Sequence, residues 1–185
     1  KAVAAAKAVN YEGAGTIEFL VDKHHQYYFL EMNTRLQVEH PITEEVLGVD
    51  LVKEQIRIAD GQVMRLSQND IKQRGHAIEC RICAEDTEQN FRPSPGIIKQ
   101  LIEPNGIGVR IDSYAYEGYE IPVYYDPMIG KLIVWATTRE YAIERMRRVL
   151  YEYKITGIKT NINYLRCIVE TEDFIDGKYD TGFIP

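Results

Sequence analysis

Between residues 16 and 33 two runs of alternating character, TIEFLV and YYFLEMN, flank the polar tip Asp22-Lys23-His24-His25-Gln26. β-branched and aromatic residues at a period of two, around a short polar break, specify an antiparallel hairpin. Taking Lys23–Gln26 as a four-residue loop pairs Asp22 with Tyr27, Leu20 with Phe29, Glu18 with Glu31 and Thr16 with Asn33. The other face then pairs Val21 with Tyr28, Phe19 with Leu30 and Ile17 with Met32; it is wholly apolar and is expected to face the core. This register sets two carboxylates side by side, with Cβ atoms about 4.5–5.5 Å apart. Like charges so placed destabilise a sheet unless one carboxyl keeps a proton or a cation sits between them. Asn33 adds an oxygen on the same face, and hard oxygen ligands suit Mg²⁺ or Mn²⁺ with phosphate oxygens completing the shell. Two solvated carboxylates on an exposed strand face fit the same pattern, so both readings stand. His24 and His25 read as tip residues, not as a ligand pair.

The alternation continues through Glu31-Met32-Asn33-Thr34-Arg35-Leu36-Gln37-Val38-Glu39-His40-Pro41. If the chain stays extended, Glu31, Asn33, Arg35, Gln37 and Glu39 share one face. A cation there can hold an oxyanion, and a carboxylate beyond it can take a proton from the held species. An amphipathic edge strand gives the same alternation.

The Ala-rich opening KAVAAAKAVN has strong helix propensity but no capping residue ahead of it, so it reads as a helix entered partway and the chain as a piece of a longer protein. Thr43 is expected to cap a short helix ended by Gly48, and Asp50 a second helix, 51–60, ended by Gly61. A polar stretch, 62–73, crosses to a new region, with a boundary near Gln68 giving domains 1–68 and 69–185. A strand over 76–85 would turn Ile78, Cys80, Ile82 and Ala84 to one face and Glu79 and Arg81 to the other. Arg81 alone reads as a surface cation. Cys80 and Cys83 are three apart on that strand, which puts them on opposite faces and suits core thiols better than zinc. Short strands are expected over 97–136, with turns at Pro104-Asn105-Gly106 and Glu117-Gly118, and a buried strand at 131–136. Their tyrosines (114, 116, 119, 124 and 125) suit sheet packing. Thr137 and Glu140 read as the capping box of a helix to about residue 152, packed through Ala142, Met146, Val149 and Leu150. Arg145, Arg147 and Arg148 are expected on its solvated side. A last helix, 161–170, would bury Cys167.

A net charge of −6 argues against phosphate-backbone binding as the main task, so no nucleic-acid partner is expected. No apolar run reaches the roughly 18–20 residues of a membrane span, and no signal peptide is visible. Three cysteines in a chain that needs no staples fit a reducing, cytoplasmic setting.

Glu18 followed by E-M-N-T-R at 31–35 resembles the end of the ATP-binding site in ATP-grasp enzymes, a superfamily that includes carbamoyl phosphate synthetase. L-Q-V-E-H-P at 36–41, R-G-H-A-I-E-C-R-I at 74–82, R-P-S-P-G at 92–96 and Y-Y-D-P-M-I-G-K-L at 124–132 are narrower and resemble biotin carboxylase. The resemblance covers essentially the whole chain. It implies an α+β fold: the tail of an ATP-grasp domain, with antiparallel strands plus helices, followed by a biotin carboxylase C-terminal domain, a small β-sheet with flanking helices. It implies that Glu18 and Glu31, assisted by Asn33, hold the Mg²⁺ or Mn²⁺ ions that bridge ATP phosphates. It further implies that Arg35 holds bicarbonate with Gln37 and Val38, that Glu39 is the general base, and that Arg81 stabilises the biotin enolate with Asp126 nearby. The complete unit of that family is more than twice as long and includes a glycine-rich lid, so the fragment alone is expected to be inactive. The implied partners are a biotin carboxyl carrier protein or domain, a carboxyltransferase and a second copy of the chain. Another ATP-grasp ligase, such as carbamoyl phosphate synthetase, and a non-catalytic dimerisation module are the rival readings.

Overall fold

The computed structural model describes residues 1–184, and the chain divides into two units, Lys1–Gln73 and Arg74–Pro185. In the first, α1 (Ala2–Ala8), with no side-chain cap, precedes the strands β1 (Thr16–Val21) and β2 (Tyr27–Asn33). Then come α2 (His40–Leu47) and α3 (Leu51–Ala59). Helix α2 starts at His40, not after a cap at Thr43, because Pro41 has its φ preset for the first turn and needs no N–H there. Gly48, left-handed at φ +68°, ends it as expected. Asp50 caps α3, its Oδ1 accepting from the Lys53 N–H at 2.8 Å.

The apolar face of the hairpin was expected to be core, and in this chain much of it is not. Val21, Tyr28 and Leu30 of that face are exposed while Ile17, Phe19 and Met32 are half-buried, and Leu20, Tyr27 and Phe29 of the other face are exposed too. Among the described residues of this unit only Pro41 and Glu44 are buried, so it has too little chain to close a core over the hairpin.

The second unit is built on a three-stranded antiparallel sheet. Strand β3 (His76–Cys83) is followed by the short pieces β4 (Glu85–Asp86), β5 (Arg92–Pro93), β6 (Gly96–Ile97) and β7 (Gln100–Ile102). Strands β8 (Val109–Ser113), β9 (Glu120–Ile121) and β10 (Met128–Ala136) follow. The sheet order is β3-β10-β8, with the long, apolar β10 in the middle. Helix α4 (Arg139–Glu152) packs on it, and β11 (Lys154–Thr156) pairs with β7. Cys80, Ile82, Leu132, Val134, Met146 and Leu150 meet in the core, so the face expected of β3 and the inner face expected of α4 both hold. Gly75 opens β3 at φ +65°, where a Cβ would lie 2.2 Å from the Ala136 carbonyl; a side chain there would force the first pair of the sheet apart.

Helices α5 (Ile162–Glu170) and α6 (Glu172–Asp176) close the chain, so 161–170 is not the last helix. Thr171 restarts the chain as α6, its hydroxyl accepting from the Phe174 N–H at 3.4 Å. Cys167 lies on the outer side of α5 and is exposed, contrary to the core position expected of it. The cap of α4 is Thr138, one residue later than expected, because its side chain is the one that accepts from the Tyr141 N–H. Only Arg148 of the three arginines makes a surface pair, with Glu152 at 2.7 Å. Arg145 donates to the Trp135 carbonyl and Arg147 to the Val169 carbonyl, so these two bind helix to sheet and helix to helix. Tyr114 and Tyr116 pack edge-on against Tyr119, while Tyr124 and Tyr125 stand exposed on the loop before β10 and do not pack as expected.

Candidate active site

Strands β1 and β2 pair Thr16 with Asn33, Ile17 with Met32 and Glu18 with Glu31, as the alternation predicts. Beyond Glu18 the register shifts: Phe19 faces Phe29, Leu20 faces Tyr28 and Val21 faces Tyr27. The expected pairs Asp22–Tyr27, Leu20–Phe29, Phe19–Leu30 and Val21–Tyr28 are therefore corrected, with Leu30 as the extra residue of a bulge. The cause lies at the tip. Asp22 turns its carboxylate inward to accept from the His24 and Gln26 N–H groups at 2.8 and 2.9 Å, and His25 sits at φ +58°. The turn so formed runs from Asp22 to Gln26, one residue longer than expected, and the bulge restores the register before the two glutamates.

Regular pairing stops at Asn33. The chain bends at Arg35, turns at Val38 and Glu39 and enters α2, so the extended face running to Glu39 does not form. Glu39 instead takes the N-cap position of α2, at φ −82° and ψ 12°. The fold still gathers most of these side chains. Asn33 Nδ2 donates to Glu18 Oε1 at 2.7 Å and to Glu31 Oε1 at 3.2 Å. Gln37 Nε2 donates to the same Glu18 oxygen at 3.2 Å, and Arg35 donates to Asn33 Oδ1 at 3.4 Å. Arg35, Gln37, Glu39 and His40 then line one cleft of about 600 Å³. Val38 is half-buried in the turn between them.

The donor set fits a divalent cation. The Asn33 amide donates to both carboxylates at once, so partial positive charge already sits between them. The two carboxylates are hard donors but an incomplete shell, and the Asn33 amide oxygen is turned to Arg35. Among the described residues no group of three or more His, Cys, Asp and Glu is placed to hold a metal.

In the second unit Arg81 stands on the exposed side of β3, opposite Lys131 of β10, which in turn faces Asp112 of β8. Burial pushes Asp112 up, but Arg110 at 2.8 Å and Lys131 at 3.3 Å outweigh it and hold its carboxyl low. Asp126 lies exposed on the loop before β10, its Oδ1 accepting from the Met128 N–H at 2.8 Å. Burial pushes the Cys83 thiol up to about 12, Glu85 and Asp126 add to this, and Arg81 opposes it. Burial and then Asp126 likewise raise Glu85. Arg81 and Asp126 therefore act on one electrostatic neighbourhood at the end of β3, with opposite signs at Cys83.

Sequence reasoning missed two supporting side chains. His40 Nδ1 lies 2.8 Å from the Gln37 carbonyl, and its Nε2 lies 3.9 Å from Glu44, which accepts from the Leu51 N–H at 2.8 Å. The four-residue spacing of His40 and Glu44 was the available signal. Asn161 bonds to the backbone of β3, and nothing local to it signals a partner some eighty residues away.

A carboxylate pair on a hairpin, bridged by an amide, thus stands next to a cleft lined by a cation and a further carboxylate, the order of groups for which an ATP-grasp fold is expected. In agreement, residues 1–67 match the family described as carbamoyl-phosphate synthase L chain, ATP binding domain. Residues 79–185, more than half of the chain, match the biotin carboxylase C-terminal domain, and the chain belongs to that family. It is 57% identical over 183 residues to a biotin carboxylase of Nostoc sp., covering 99% of this chain and 41% of the relative. It superposes with TM-score 0.96 and 51% identity on the dimeric biotin carboxylase domain of Hydrogenobacter thermophilus 2-oxoglutarate carboxylase, a complex with MgADP, ADP and bicarbonate, covering 98% of this chain and 40% of that one. A biotin carboxylase of Campylobacter jejuni in complex with β-γ-ATP gives TM-score 0.94 and 52% identity, with 98% and 40% covered. The chain thus spans about two fifths of the length of the relatives it matches. Among the described residues no helix is long and apolar enough to cross a membrane.

Proposed function

We propose that this chain is the C-terminal part of a biotin carboxylase that uses ATP and bicarbonate to carboxylate biotin on a carrier protein. The observation that carries the reading is the Glu18–Glu31 pair, bridged by Asn33 and joined through Gln37 to the cleft that Arg35 and Glu39 line. Glu18, Glu31 and Asn33 would hold Mg²⁺ or Mn²⁺, which would supply positive charge against the ATP phosphates. Arg35 presents a planar fork to bicarbonate, with Gln37 and Val38 fixing its orientation. Glu39 takes the bicarbonate proton, and the carbonate so formed attacks the γ-phosphate, expelling ADP and giving carboxyphosphate. Carboxyphosphate breaks into CO₂ and phosphate. The phosphate removes the N1′ proton of biotin, Arg81 stabilises the enolate beside Asp126, and N1′ attacks CO₂.

The parent protein acts with a carrier and a carboxyltransferase, as a homodimer, in a reducing compartment such as the cytoplasm; the free cysteines support that setting. Domain limits of 1–68 and 69–185 serve this reading, with nucleotide chemistry in the first part and biotin chemistry in the second. The test is Glu39→Gln in the full-length parent, which keeps shape but removes the base. Bicarbonate-dependent phosphate release and carboxybiotin formation are both expected to fall together. Retention of either at the wild-type rate assigns the base elsewhere.

A further inference from the structure

Strand β3 lies at one edge of its sheet, so one side of its backbone has no neighbouring strand. Edge N–H and C=O groups need partners when they are shielded from water. At the end that carries Arg81, a single side chain supplies them. Asn161 Nδ2 donates to the Arg81 carbonyl at 3.0 Å, and Asn161 Oδ1 accepts from the Cys83 N–H at 2.9 Å. The Asn161 N–H donates to the Cys83 carbonyl at 3.1 Å. The carbonyl of one strand residue and the N–H two residues on are the pair that a single residue of a parallel neighbour would engage. The Asn161 amide thus takes the place of the N–H and C=O of one residue of an absent strand, opposite the fully buried Ile82.

The residue type is dictated by this geometry. Among short side chains only an amide presents a donor and an acceptor side by side. Aspartate keeps the acceptor for Cys83 but turns an oxygen on the Arg81 carbonyl. Alanine leaves both backbone groups without their partner. Asn161 itself is buried, at 8% exposure, where such losses are not made good by water.

We infer that Asn161 is a positioning residue for biotin carboxylation: it fixes the backbone from Arg81 to Cys83, and so the direction in which the Arg81 guanidinium leaves the sheet. This rests on the proposed role of Arg81 at the biotin enolate. Held in place, the guanidinium meets the developing charge without reorganising; released, it must be ordered in each turnover.

The experiment compares Asn161→Ala, Asn161→Asp, Arg81→Ala and the double variant Asn161→Ala/Arg81→Ala in the full-length parent. Carboxybiotin formation is measured beside biotin-independent, bicarbonate-dependent ATP cleavage. Each Asn161 variant is expected to lose about 10-fold or more in carboxybiotin formation while ATP cleavage stays within about 2-fold of wild type. The double variant is expected to be no slower than Arg81→Ala alone, because Asn161 acts through Arg81. Multiplicative losses in the double variant, an equal fall in both activities, or no loss in the Asn161 variants would overturn the inference. If Asn161→Ala does not fold, Asn161→Asp and its double variant with Arg81→Ala carry the same comparison, and loss of folding there too would make Asn161 structural. Arg81→Ala separates the two ideas: if that variant lacks the split between activities, the role proposed for Arg81 fails, whatever Asn161 does.

Discussion

At the scale of single residues, environment sorts groups of one chemical type into different roles. Burial, together with Glu79, pushes the Cys80 thiol up to about 12, and Cys83 reaches about 12 for similar reasons, while Cys167 is exposed. A thiol reacts as its thiolate, so near pH 8 the first two stay protonated and inert in the folded protein. Brief alkylation of the folded parent followed by peptide mass mapping is expected to label Cys167 and spare Cys80 and Cys83; rapid labelling of either would contradict the burial described. Arg81 has the opposite character, exposed on the outer side of β3. Its replacement by alanine is expected to cost carboxylation about 10²–10³-fold, the usual loss for one donor to a developing anion, and biotin-independent ATP cleavage much less. Arg81→Lys restores only part, since a point charge replaces a planar fork. Equal loss of both activities would place Arg81 before biotin enters.

At the scale of elements, the sequence was most legible where local pattern and packing agree. The pairing of Glu18 with Glu31, the Asp50 cap and the apolar faces of β3 and α4 were all readable. Misreadings cluster where one side chain tips a balance over one to four residues. Asp22 folds the hairpin tip and moves every pair between itself and Glu18; Pro41 starts α2 four residues early; Thr138 takes the cap from Thr137. The bend after Asn33 was hidden because its residues keep a strand's alternation while their side chains close a turn. The mini-sheet of β4 and β5 gives a pH test of a similar local device. Asp86 lies 2.6 Å from Lys159, whose hydrogen bond holds the carboxyl below the usual carboxylate range and in turn pushes the Lys159 amine up. A carboxyl held low adds stability above its unfolded value of about 3.9 and loses it as pH falls through the lower folded value. An amine pushed up adds stability below about 10.4 and loses it as pH rises through the higher one. The Tm gap between wild type and Lys159→Met is therefore expected to be widest near neutrality and to narrow below about pH 4. A gap independent of pH would mean that Lys159 acts through packing alone.

At the scale of the whole molecule, the two units differ in how much core they own. The sheet and α4 bury a continuous cluster in the second, whereas the first leaves its hairpin exposed from Leu20 to Leu30 apart from half-buried Asp22. On the proposed reading the first unit supplies only one wall of a nucleotide site, and such a site turns over when it is closed against water. The isolated chain, given ATP, bicarbonate, Mg²⁺ and free biotin, is expected to release phosphate no faster than a blank; sustained turnover by the purified chain would show a self-contained site. The division of the chain near residue 73 has a further consequence. The carboxylates proposed for metal and bicarbonate all precede it, and Arg81, Asp126 and Asn161 all follow it. The stretch before it matches a family named for a different ligase, and the stretch after it does not. On the proposed reading, the chemistry of phosphate activation and that of the carboxyl acceptor therefore sit on successive stretches of sequence, each with its own family likeness.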